Sequence, residues 1–135
     1  MNALYHAHSG LRYLVLLAAL AAITVLAVGL ARRRASRLTR VLPSIFSGLL
    51  DLQLVLGAGL VMGGIFPAAA IGHLVMMVLA AAVTHASSIT GRRARDDQRE
   101  MAIRLAGVAV ASILVVGGIM AIGRSVFGSL PLSAP

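Results

Sequence analysis

Forty consecutive residues, from Leu52 to Gly91, contain no Asp, Glu, Lys or Arg. A soluble domain intersperses charged positions so that each element keeps a solvated face, and a charge-free stretch of this length leaves none. One helix crosses a hydrocarbon core of ~30 Å with ~20 residues at ~1.5 Å each, so forty residues are too many for one crossing. Gly63-Gly64-Ile65-Phe66-Pro67 divides the stretch. Glycine and proline interrupt helices, and Pro67 cannot continue the helix before it.

Residues 13–31 and 105–123 are each nineteen residues without a charge, which adds a span at either end. The prediction is an all-α chain with a single domain over residues 1–135. Its four helices cover about 9–32, 41–64, 69–90 and 102–124, packed as an up-down-up-down transmembrane bundle. A content of 59% hydrophobic against 12% charged residues agrees.

The net charge of +8 raises the question of nucleic acid, and its distribution answers it. All twelve basic side chains are arginine. Ten fall in two clusters: Arg32, Arg33, Arg34, Arg37 and Arg40, then Arg92, Arg93, Arg95, Arg99 and Arg104. Each cluster abuts apolar spans, as topology-setting loops do, so no nucleic-acid partner is expected and membrane lipid is. The positive-inside rule puts both clusters in the cytoplasm and both chain termini on the outer side, where only Arg12 and Arg124 lie. A cleaved signal peptide is not expected, because the charge follows the first apolar run instead of preceding it. The absence of cysteine excludes disulfides, thiolate metal sites and thioether haem attachment.

Ionisable groups inside such spans are costly, about 2.5–3.5 kcal/mol for a central aspartate, and they default to functional candidates. Asp51 falls near the middle of the second span. Ser44, Ser47, Gly48, Asp51 and Ala58 share one stripe by their three- and four-residue spacing, which is expected to face the bundle interior. Gln53 lies roughly 200° around that helix, beside Gly57. In the third span His73 and His85 are twelve residues apart, ~18 Å along the axis and ~120° around it, so one metal cannot take both. Met76, Met77, Ala80 and Thr84 lie on the side of His73, a small and polarisable face on which a flat ring can rest.

The stretch HAHSGLR, residues 6–12, opens the first span. His8 and Arg12 share a helical face, and His8 and His73 are expected at similar depth on different helices. Two neutral imidazoles across a bundle are the ligand set of a six-coordinate b-type haem, and an arginine fork pairs with a propionate. The competing reading is an interfacial collar of Tyr5, His6, His8 and Arg12 in the headgroup region. A chlorophyll-type pigment, quinone or copper are further alternatives, as is no cofactor at all. Catalysis by the chain alone is not expected: there is no serine–histidine–acid grouping, no phosphate-cradling glycine loop and no metalloprotease motif.

The stretches HSGLRYLVLLAAL, LQLVLGAGL and GHLVMMVLAAAVTH, in that order, resemble small four-helix bacterial membrane proteins of the cytochrome b-like type. The resemblance covers roughly residues 5–90 and marks His8, Arg12, Gln53, Gly57 and His73. His85 is less clearly part of the pattern, so a second haem is not implied. The resemblance implies a subunit of a membrane electron-transfer complex, in the bacterial inner membrane. The expected function is therefore a haem-binding electron-transfer subunit with His8 and His73 as iron ligands, Arg12, Met77 and Gln53 around the cofactor, and Asp51 and His85 as further intramembrane polar groups. The alternatives are a cofactor-free scaffold subunit and a quinone- or proton-handling subunit built on Asp51 and His85.

Overall fold

A computed structural model describes residues 2–64, 70–123 and 126. The Ile65-Phe66-Pro67 part of the interruption, Arg124 and the chain from 127 onward lie outside the described residues. Four helices account for almost all of the rest: α1 (Asn2–Ala31), α2 (Leu38–Met62), α3 (Ala70–Arg92) and α4 (Asp97–Ala121). All four are long and apolar enough to cross a membrane.

The helix ends differ from expectation in three places. Helix α1 begins at Asn2, so HAHSGLR is part of the helix and not a mouth before it. Nothing in Asn2–Ser9 breaks a helix, and at ~1.5 Å per residue its thirty residues outrun the ~30 Å core. Helix α2 begins at Leu38 and carries Pro43 in its second turn, where the ring nitrogen offers no N–H to the Thr39 carbonyl. Helix α4 begins at Asp97 because Asp96, in extended conformation, caps it: its carboxylate accepts from the Arg99 amide at 2.8 Å. Asp97 and Glu100 in the first turn suit the positive end of the helix dipole.

The helices pack in a ring, α1 against α2, α2 against α3, α3 against α4 and α4 against α1, leaving α1 and α3 diagonal. The core runs along the middle: Val15, Ala19, Ala22 and Leu26 from α1, Phe46 and Leu50 from α2, Met77 and Ala80 from α3, and Met101, Val108, Ala111 and Val115 from α4. Helices α3 and α4 pack most extensively, because small residues line their seam. A Cβ at Gly107 would collide with Ser87, and one at Gly118 would come within 2.7 Å of the Met77 methyl and 3.0 Å of Met76 Cβ.

The stripe on α2 faces the other way from expectation. Only Ser47 enters the bundle, where its hydroxyl meets that of Thr84 at 3.2 Å. Ser44, Gly48 and Ala58 are exposed, and Asp51 is half-exposed at the edge toward α3. The reason is volume. Phe46, Leu50, Gln53 and Leu60 occupy the opposite side of α2, and burying them turns the small residues outward.

At the arginine-rich end, Arg40 of α2 reaches α4. It donates to Asp97 at 2.9 Å and to Glu100 at 3.0 Å, while Arg104 donates to Glu100 at 2.9 Å from a buried position. The starts of α2 and α4 therefore share one end of the bundle.

Candidate functional site

At the other end, where α1 and α3 begin, the diagonal is bridged by two imidazoles. The rings of His8 and His73 have centroids 6.3 Å apart and planes at 85°. All four helices contribute: α1 supplies His8, α2 supplies Gln53 and Gly57, α3 supplies His73, and α4 supplies the carbonyl of Gly118.

His73 Nδ1 lies 2.9 Å from the Gly118 carbonyl oxygen. A carbonyl only accepts, so neutral His73 carries its proton on Nδ1 and its lone pair on Nε2. A histidine held to a backbone carbonyl through one nitrogen is oriented to ligate through the other. The close approach of α3 to α4 at Gly118, where a Cβ would meet the Met77 methyl at 2.7 Å and Met76 Cβ at 3.0 Å, brings the carbonyl to the ring.

His8 is held from the other side. The buried amide of Gln53 donates to the His8 carbonyl at 2.8 Å and sits 3.5 Å from His8 Nε2. Gly57, one turn further along α2, leaves room for the ring, because a Cβ there would stand 3.3 Å from His8 Cε1. Arg12 lies one turn beyond His8 and is only 9% exposed. Its guanidinium donates to the Tyr13 hydroxyl at 2.6 Å, with Cζ 4.6 Å from the ring centroid. Met77 is buried below His73 against Gly118.

Asp51 and His85 form a second, separate pair. His85 Nε2 and Asp51 Oδ1 are 2.9 Å apart, and both side chains face outward, His85 at 55% and Asp51 at 46% exposure. The structure thus joins His8 with His73 and Asp51 with His85, and keeps the two pairs apart.

Among the described residues no three His, Cys, Asp or Glu side chains gather to hold a metal ion. A bare zinc or copper site of three or four protein ligands therefore has no donor set here. Two histidines are a sufficient protein contribution only for a metal that brings its other ligands with it. Sequence reasoning did not identify the carbonyl of Gly118 as the partner of His73. The pair Gly117-Gly118 signals close packing, and nothing in it indicates which side chain approaches.

Protein-family models, curated proteins and solved structures give no match to this chain.

Proposed function

We propose that this protein is a small integral membrane subunit that binds a b-type haem between His8 and His73 and serves electron transfer. The observation that carries this reading is the convergence of the two rings from diagonal helices, with the Nδ1 of His73 committed to the Gly118 carbonyl. Two imidazoles sharing one metal have donor nitrogens about 4 Å apart, twice a metal–nitrogen bond of about 2 Å. Rings with centroids 6.3 Å apart are near enough to present that separation. The donor set fits the group: two neutral nitrogens, one of them oriented by a backbone carbonyl, and no third protein ligand.

His8 and His73 would hold the iron, and Gln53 would fix the turn of α1 that carries His8. Arg12 would supply the cation for a cofactor carboxylate, and Met77 would offer it a soft apolar surface. Bound there, haem supplies one-electron transfer at a depth near one membrane surface. The positive-inside rule supports reading that surface as the outer face, with both termini on the same side and the helices alternating in direction, and the resemblance in sequence supports a bacterial inner membrane. Its partners would be other subunits of a membrane electron-transfer complex.

The test is haem content. Chain purified from membranes should carry one haem, and His8→Ala or His73→Ala should each lose it while remaining folded. Folded wild-type protein without haem, even after haem is added back, would remove this reading.

A cofactor-free scaffold subunit is the second reading. It is favoured by the fact that both histidine-site bonds join helices, Gln53 tying α2 to α1 and His73 tying α3 to α4. On that reading His73→Ala lowers stability and changes no spectrum.

A further inference from the structure

The pair of Asp51 and His85 lies on the outer surface of two helices long and apolar enough to cross a membrane. Asp51 stands thirteen residues after the first residue of α2 and eleven before its last, so it lies near mid-span. Hydrocarbon offers no hydrogen bond to the outward side of either group, and a polar pair left against lipid at this depth is costly. The surface around the pair is shaped for close approach. Ser44 and Gly48 are exposed one turn apart on α2, and a Cβ on Gly48 would meet nothing within 4 Å. On α2 the face continues through the exposed Val55 to Ala58, and Ala82 extends it on α3 beside His85.

We infer that this α2–α3 face is the contact between two copies of the chain. Complementarity of donors and acceptors selects a second copy over another occupant. The patch holds one acid and one base. In a two-fold contact about the membrane normal, each residue meets its counterpart's surroundings at the same depth. Asp51 of one copy then stands level with His85 of the other; with His85 as an imidazolium, one ring N–H donates to Asp51 of its own chain and the other to Asp51 of the second copy, so each carboxylate gains a second donor. Small residues at Ser44 and Gly48 let the two α2 helices approach closely enough for those bonds. The inference rests on the helices crossing a membrane and is independent of any cofactor at His8 and His73.

The chain contains no cysteine, so a single introduced one reports on its own position alone. Gly48→Cys enters open space on the proposed face. Leu17→Cys on α1 and Ile113→Cys on α4 enter outward positions, 62% and 71% exposed, away from it. Oxidation in native membranes should convert Gly48→Cys into a covalent pair of 13.9 kDa chains and leave the two controls single. Native mass spectrometry of the unaltered chain in mild detergent should give the mass of two chains. Replacing both polar groups, Asp51→Leu with His85→Leu, should shift that mass toward one chain. A single-chain mass without cross-linking at residue 48 overturns the inference, as does equal cross-linking at all three positions or an adduct formed only with a different protein.

Discussion

Alanine at Gly107 tests whether the α3–α4 seam is as tight as its small residues imply. A Cβ there collides with the Oγ and Cβ of Ser87. Oγ can rotate away, but Cβ is fixed to the backbone, so the helices must separate or Ser87 must move with its turn. Overpacking of this kind costs ~1–3 kcal/mol. Replacing a helical glycine by alanine returns ~1 kcal/mol of propensity, which leaves a net destabilisation of up to ~2 kcal/mol. Gly10→Ala is the control, because a Cβ on Gly10 meets nothing within 4 Å and the same propensity gain stands unopposed. Reversible unfolding in mixed micelles should therefore separate the two variants by ~1–3 kcal/mol. Ser87→Gly in the Gly107→Ala background should recover part of the loss, a coupling that a double-mutant cycle isolates. Equal stability of Gly107→Ala and Gly10→Ala would refute the seam as described.

Asp96→Ala removes the cap of α4 and should cost ~0.5–2 kcal/mol, read as earlier exchange of the amides at the start of that helix. Thr84→Val deletes the buried hydroxyl that meets Ser47 and should cost ~0.6–1.7 kcal/mol in the same micelle assay. Arg104→Met leaves Glu100 with Arg40 as its remaining cation and should cost ~1.5–3 kcal/mol, since the lost bond is charge-assisted and largely buried.

The four helices were legible because charge-free runs of nineteen and forty residues admit few other solutions. The start of α1 was not, since a hydropathy reading stops at His8 and Arg12 while the backbone has no reason to stop there. The rotation of α2 is hidden in the sequence for a related cause. Ser44, Gly48 and Ala58 suit a bundle interior or an outer face equally well, and the choice is made by Phe46 and Leu50 on the opposite side. His8 and His73 could be placed at one depth from sequence, but their meeting depends on the rotation of two diagonal helices. That rotation is set by contacts such as Gly57 with His8 and Gly118 with His73, which link residues 49 and 45 positions apart. Asp51 and His85 stand out in the sequence as a pair of intramembrane polar groups, whereas the spacing of the stripe that carries Asp51 does not reveal that it faces outward.

The most direct test of the account is a reduced-minus-oxidised absorption spectrum of protein purified from haem-replete membranes, recorded for the wild type and for His8→Ala/His73→Ala. Haem ligation by His8 and His73 predicts a sharp b-type α-band in the wild type and none in the folded double variant. A featureless wild-type spectrum, or a band that survives loss of both histidines, would contradict it.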